Sequence, residues 1–135
     1  MPPLDQGTLV LACGPRVLGF PGEAVREIRN WQAPRPLPGA APWLGGLLSE
    51  DGVPWPFLRT NFWGESPKLP EVFVLLAWGE RVLAVPGRDP WMVRPTPPSG
   101  PPEWGDGPWA GTMEAGGMKV ALVDLRQLYL MLGLH

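Results

Sequence analysis

The 135-residue chain has a single cysteine, Cys13, and a single histidine, His135, which is the last residue. One cysteine excludes a disulfide within the chain and is typical of a reducing compartment. A lone cysteine and a lone histidine cannot supply the ligand cluster of a zinc site, and terminal residues such as His135 are usually poorly ordered and make weak general bases. We therefore expect a protein that is not an enzyme, with no catalytic residue, no metal and no cofactor.

Positive charge is also scarce. The formal net charge is −2, and Lys119 is the only lysine after Lys68. Proteins that bind nucleic acid usually cluster lysine and arginine, so no nucleic-acid partner is expected. No apolar run reaches the roughly 18 residues of a membrane span, and the start MPPLDQG lacks the features of a signal peptide. The expected location is cytoplasmic, without membrane insertion.

Proline, glycine and tryptophan are abundant instead. The chain has 20 prolines and 18 glycines, a content at which disorder has to be considered, and 8 tryptophans. Recurring apolar runs, such as Val72 to Trp78 and Val120 to Leu132, argue against disorder because they can fill a core. Many short strands joined by tight turns explain this composition better, so the predicted class is mainly β.

The stretch from Pro36 to Gly64 predicts an antiparallel hairpin. Its apolar runs are Leu44 to Leu48 and Val53 to Leu58, and Glu50-Asp51-Gly52 between them has the chemistry of a tight turn. Prolines within the second run predict an edge strand or an irregular one, because proline cannot donate a ladder hydrogen bond.

Further elements follow from the same kind of pattern. Short helical turns are predicted at Glu23 to Arg29, from the spacing of Val25 and Ile28, and at Arg88 to Val93. A C-terminal helix is predicted from the cap Asp124 to Gly133. The proline-rich run Pro95 to Pro108 is either a stiff connector or a ligand for an aromatic groove. Strands are predicted at Thr8 to Cys13, Arg16 to Phe20, Glu71 to Trp78, Arg81 to Val85, Trp109 to Glu114 and Met118 to Val123.

The two halves of the chain match each other at one constant offset, which aligns Gly14 with Gly79. At this offset Gly14 to Gly22 and Gly79 to Gly87 share six of nine residues, and the turn glycine Gly52 meets Gly117. We interpret this as an internal duplication. The expected architecture is one domain, residues 1–135, built from two pseudo-symmetric small β-barrels or curled sheets of SH3-like type. The first half would span 7–64 and the second 70–133, with a groove between them.

The order of these signals resembles the CheW-like domain family, the coupling proteins of bacterial chemosensory arrays. The matching segments, which extend over almost the whole chain, are Val25-Arg26-Glu27-Ile28, Leu37-Pro38-Gly39-Ala40-Ala41-Pro42-Trp43, the hairpin Gly46 to Gly52 with Pro56 at the family spacing, and Val123-Asp124-Leu125 before the last helix. Two positions depart from the family pattern: Asp51 stands where an arginine is usual, and Arg59 where an aspartate is usual. Our hypothesis is that these two residues form an ion pair across the hairpin with swapped signs.

The resemblance implies a non-enzymatic adaptor that couples a CheA-type histidine kinase, through its regulatory domain, to the cytoplasmic tip of a chemoreceptor. It places a receptor-binding groove at Val25, Leu37, Gly46, Leu47, Leu48 and Asp51. It identifies no residues for the kinase side.

Tryptophans beside turns are either lids over the core or anchors of an interface, and Trp43 and Trp55, on either side of the hairpin, are the candidate interface aromatics. An alternative function is a small-ligand-binding or structural β-protein that has lost the array partners. An adaptor needs an exposed apolar patch, whereas a ligand binder needs an enclosed pocket.

Overall fold

The protein is mainly β, as predicted, with nine strands and one α-helix among the residues that the computed structural model describes: 7–50, 52–94 and 96–134, with only the backbone of Glu50. The strands are β1 Thr8–Cys13, β2 Arg16–Pro21, β3 Val25–Asn30, β4 Leu44–Glu50, β5 Val53–Leu58, β6 Val72–Trp78, β7 Arg81–Val93, β8 Trp109–Ala115 and β9 Met118–Val123. Helix α1 spans Leu125–Met131, and Gly22–Ala24 form a short 3-10 turn.

Strand β7, with 13 residues, joins two groups of strands. Its first part pairs with β6 from Arg81 to Gly87 and with β5 at Ala84, and its second part pairs with β1 from Arg88 to Val93. One group has the order β7-β1-β2-β9-β8, and the other has the order β3-β6-β7-β5-β4. Each group therefore contains strands from before and after the midpoint of the chain.

Neither group closes into a barrel, so the prediction of two small barrels is corrected. Closure would require β4 to pair with β3, and β8 to pair with the second part of β7. No such pairing occurs among the residues described here. Instead β3 and β8 are edge strands, because each pairs with another named strand along one side only.

Backbone details recur at the same offset as the sequence repeat. The β4–β5 ladder shifts register between Leu44 and Gly46, and the β8–β9 ladder shifts between Trp109 and Gly111. The parallel contact Phe57–Ala84 likewise corresponds to Leu122–Gly19. These register shifts and parallel contacts therefore recur at the offset that aligns Gly14 with Gly79.

Two predicted helical turns are wrong. Val25–Asn30 is strand β3, antiparallel to β6, and it is preceded only by the short 3-10 turn. Residues Arg88 to Val93 continue β7. In both segments, pairing with an apolar neighbouring strand outweighed a weak helical spacing, which is the usual outcome when tertiary contacts compete with local propensity.

The C-terminal helix is confirmed, including its cap. The Asp124 carboxylate accepts a hydrogen bond from the Gln127 amide at 3.2 Å. The buried side chains of helix α1, Leu125, Leu128 and Tyr129, belong to the main core. The Tyr129 hydroxyl donates to the Leu76 carbonyl at 3.2 Å, and burial raises the pKa of Tyr129 to about 12. This helix, with seven residues, is too short to cross a bilayer, and no helix in the described part of the chain is long and apolar enough to do so.

Three residues of the sequence predictions lie outside the described residues: Asp51, Pro95 and His135. The ion pair between Asp51 and Arg59 therefore stays a prediction. Cys13, by contrast, is buried in the main core, where burial raises the pKa of its thiol. A thiol held in its neutral form is a poor nucleophile.

Candidate functional site

A surface groove runs beside β4 in the first half of the molecule. The proline-rich segment before β4, residues 33–37, lies next to this strand. Its Arg35 exchanges two backbone hydrogen bonds with Leu47, of 2.8 and 2.9 Å. The resulting groove has a volume of about 590 Å³. We call it the β4 groove, and its lining residues are Ala33, Arg35, Leu37, Leu47, Leu48 and Ser49.

Proline and glycine explain why the chain takes this path. Pro34 and Pro36 flank Arg35 and favour an extended segment that cannot become helical. Gly46, on the facing strand, has a φ of 146°, and an added Cβ would lie 2.5 Å from the Arg35 carbonyl oxygen. Only glycine allows the two backbones to approach this closely. Gly46 therefore shapes the groove through its missing side chain.

The floor of the β4 groove is apolar, and its rim carries positive charge. The Leu37 side chain is 43% exposed, which is high for a large apolar residue. Leu47 is half-buried, and Leu48 is half-buried against the cluster that contains Phe57 and Phe73. Arg35 is exposed at the edge. Such a combination of apolar floor and arginine rim is common in protein interfaces.

A second groove, of about 430 Å³, is lined by Pro34 and Pro36 of the segment that precedes β4. We call it the Arg59 groove, because the exposed Arg59 lines it together with Trp31, Leu37 and Leu44. Leu37 lines both grooves. The Arg59 backbone amide donates to the Trp43 carbonyl at 2.8 Å, which holds this side of the hairpin in place.

The second half has a groove at the matching position, beside β8. It has a volume of about 330 Å³, and we call it the β8 groove; its lining residues are Ser99, Gly100, Pro101, Thr112, Met113, Glu114 and Lys119. Thr112 is buried and its hydroxyl donates to the Gly100 carbonyl at 3.0 Å. Lys119 forms an exposed ion pair with Glu103 at 3.2 Å. Polar side chains of β8 and β9 therefore tie the segment around Gly100 and Glu103 to the β8–β9 hairpin.

The structure brings together three of the predicted groove residues and separates two others. Leu37, Leu47 and Leu48 line one continuous groove. Gly46 is buried beneath it. Val25 is 7% exposed and belongs to the main core, so it supports the fold from inside. The sixth predicted residue, Asp51, lies outside the described residues.

Both candidate interface tryptophans are half-buried. Trp43 packs against the main core, and Trp55 packs against the Phe57 cluster. The Arg29 guanidinium lies 4.8 Å from the centre of the Trp55 ring, within the range of a cation–π contact. Arg29 also donates to Glu27 at 2.9 Å, and this hydrogen bond lowers the pKa of Glu27. Trp55 thus combines a core contact with an exposed, ordered edge.

Arg35 and Ser49 line the β4 groove but were missed by the sequence analysis. For Arg35 a signal was present in the prolines on either side of it, which predict an extended segment whose side chains project from it. Where this segment would pair could not be read from the sequence, because its partner strand begins only at Leu44. Among the described residues, no group of three or more His, Cys, Asp or Glu could hold a metal ion.

No protein-family model and no curated protein matches this sequence. The fold, however, is similar to the crystal structure of the scaffolding protein TtCheW from Thermoanaerobacter tengcongensis, with a TM-score of 0.72 and 10% sequence identity. The match covers 88% of this chain and 88% of that protein. At this identity the likeness concerns the fold. The chain therefore has a CheW-like fold, in agreement with the resemblance found in its sequence.

Proposed function

We propose that this protein is a non-enzymatic adaptor that couples a sensor histidine kinase to chemoreceptors by protein–protein binding. The observation that carries the proposal is the apolar β4 groove on a CheW-like fold. The adaptor would act by binding alone, holding its partners so that the state of the receptor biases the kinase. We propose that it does so in the cytoplasm.

We assign the receptor side to the β4 groove. Leu37, Leu47 and Leu48 would contact apolar residues of the helical receptor tip, in the manner of an amphipathic helix laid into a groove. Gly46 and Val25 would act indirectly, one by allowing the close approach of Arg35 and the other from the core. Asp51 keeps its predicted place in this set.

We leave the kinase side without assigned residues. Trp43 and Trp55 remain candidate interface aromatics, because half-buried tryptophans held by surrounding contacts lose little entropy when a partner covers them.

We also propose that the domain, residues 1–135, arose by duplication of halves 7–64 and 70–133. The recurrence of the register shifts at Gly46 and Gly111 supports this. So does the backbone pair Ser99–Thr112, in which Thr112 matches Leu47 and Ser99 lies one residue before the match of Arg35. Exchange of strands between the groups would explain how two marginal halves come to share one core.

The rival function is a small-ligand-binding or structural module. It would require an enclosed apolar pocket of about 300–1,000 Å³. The exposed Leu37 on the β4 groove favours a protein partner, because an apolar side chain at a surface contributes most when a second surface covers it.

The proposal is tested with purified kinase regulatory domain and receptor-tip peptide from the same organism. Leu37→Glu places a charge in the groove and should weaken binding of the receptor peptide by about tenfold or more, with kinase binding unchanged. Leu130→Glu is the matched control, since Leu130 is 51% exposed on α1 and lines neither groove. Isothermal titration calorimetry measures both affinities.

Two results would contradict the proposal. If the unaltered protein binds neither the kinase domain nor the receptor peptide, the coupling role fails. If Leu37→Glu and Leu130→Glu weaken receptor binding equally, the β4 groove is not the receptor site.

A further inference from the structure

A small pocket lies where three distant segments of the chain meet. These segments are the β1–β2 turn at Gly14, the connection from β5 to β6 around Gly64, and the middle of β7 at Gly87. The pocket has a volume of about 90 Å³, which is room for several water molecules. We call it the junction pocket.

Glycines make the convergence possible. A Cβ on Gly14 would lie 2.9 Å from the Gly64 carbonyl oxygen, and a Cβ on Gly64 would lie 2.9 Å from the ring of Pro15. A Cβ on Gly87 would lie 2.4 Å from the Leu11 side chain. The β1–β2 turn and the β5–β6 connection therefore approach each other closely at Gly14 and Gly64, whereas Gly87 packs against the Leu11 side chain.

Two cations line this pocket, Arg88 and Lys68. Arg88 is half-buried, and its Nη2 donates to the Gly14 carbonyl at 3.1 Å. In the described part of the chain neither cation has a carboxylate within ion-pair distance. A guanidinium has five N–H donors in a planar fork, and that shape suits an oxyanion.

Neutral donors complete the lining. Thr60 and Ser66 contribute hydroxyl groups, and Asn61 contributes a side-chain amide. The Ser66 oxygen accepts a hydrogen bond from the Lys68 backbone amide at 3.2 Å, which leaves its own O–H proton to donate elsewhere. One carboxylate, Glu65, also lines the pocket, and the Asn61 amide donates to it at 3.0 Å. The charged lining is thus two cations against one anion.

The second half of the chain differs at the position that matches Gly64. Tyr129 is the counterpart of Gly64 at the offset of the repeat, is buried, and donates its hydroxyl proton to the Leu76 carbonyl. In the first half the position holds a glycine, and cations lie around it.

We infer that the junction pocket binds a small tetrahedral oxyanion of the phosphate class, either free phosphate or the phosphate group of a small phosphomonoester. Arg88 and Lys68 neutralise its charge, and the hydroxyls of Thr60 and Ser66 donate to its remaining oxygens. This site is separate from the β4 groove, and it does not depend on the proposed adaptor function.

The test is a titration of the full chain with inorganic phosphate at constant ionic strength, followed by amide resonances in NMR spectra. We expect saturable shifts at Gly14, Ser66 and Arg88. Arg88→Gln should weaken the affinity by about tenfold or more, and Lys68→Gln by about two- to fivefold. A parallel titration with glycerol phosphate distinguishes free phosphate from a phosphomonoester, because only a pocket that is open on one side accepts the ester.

A third variant separates binding from structural effects. Glu65→Gln removes the one carboxylate of the lining and should tighten phosphate binding by about two- to fivefold. Lys119→Gln is the control, because Lys119 is an exposed lysine that lies outside the pocket. Arg88→Lys keeps the positive charge and should retain part of the affinity for phosphate. It replaces Arg88→Gln in the comparison if that variant does not fold.

The inference is overturned if phosphate shifts are not saturable, or if they follow ionic strength alone. It is also overturned if Lys119→Gln weakens binding as much as Lys68→Gln, or if Glu65→Gln weakens binding. None of these results bears on the kinase and receptor assays, so the two proposals fail independently.

Discussion

Leu47 in β4 and Thr112 in β8 match each other at the offset that aligns Gly14 with Gly79, and each pairs through its backbone with the connecting segment beside its strand. The side chains differ in what they do. The Thr112 hydroxyl bonds to the Gly100 carbonyl and ties that segment down, whereas Leu47 is an apolar wall of the β4 groove. The same backbone pairing therefore occurs beside two different grooves: the β8 groove is closed by a polar side chain, and the β4 groove is open and apolar.

The two grooves also differ in how their side chains contribute to the fold. The β8 groove gains an internal hydrogen bond and an exposed ion pair, both of which serve the fold. The β4 groove instead keeps the large apolar side chain of Leu37 exposed, which serves the fold poorly. A partner that covers this apolar floor is the simplest account of the contrast.

The largest effect on stability should come from substitution of Gly46 beside the β4 groove or of Gly111 beside the β8 groove. Gly46→Ala and Gly111→Ala each place a Cβ at positive φ, 2.5 Å from the Arg35 carbonyl oxygen in one case and 2.6 Å from the Ser99 carbonyl oxygen in the other. We expect each to lower the free energy of unfolding by about 2–4 kcal/mol. Urea denaturation measures both.

Gly117→Ala is the matched control for these two variants. Its φ is 76°, but nothing lies within 4 Å of an added Cβ, so only backbone strain of about 1 kcal/mol is expected. If Gly46→Ala proved as mild as Gly117→Ala while Gly111→Ala stayed severe, the two grooves would not share the backbone contact that the comparison rests on.

A smaller effect is expected from removing the polar tie of the β8 groove. Thr112→Val deletes the hydroxyl that donates to Gly100 and should lower the free energy of unfolding by about 1 kcal/mol. At the matching position, Leu47→Thr should change stability less and weaken receptor binding more. If receptor binding were weakened by Thr112→Val and not by Leu47→Thr, the binding site would be the β8 groove and the proposal would be contradicted.

Much of the fold could be predicted because local chemistry determines it. The strands β1 and β5 have the predicted bounds, and the turn glycines Gly52 and Gly117 both adopt positive φ. The cap of α1 at Asp124 follows from the same short-range rules. Such features depend on a few neighbouring residues, so a single sequence is enough to find them.

The errors concern contacts between distant residues. The pattern of Val25 and Ile28 favoured a helix, but the partner that makes this segment a strand, β6, begins only at Val72, beyond the whole β4–β5 hairpin. The parallel pairing of β9 with β2 has no local signal either. Of the residues that the resemblance assigned to a receptor groove, Leu37, Leu47 and Leu48 line one groove, whereas Val25 lies in the core with β3. Their role in receptor binding stays a prediction.

The most direct test of the account is hydrogen–deuterium exchange of the protein with and without the receptor-tip peptide. We predict that the peptide slows exchange in residues 33–37 and in β4, and leaves residues 97–101 and β8 unchanged. Equal protection of β4 and β8, or protection confined to β8, would contradict the claim that the receptor binds the β4 groove and not the β8 groove.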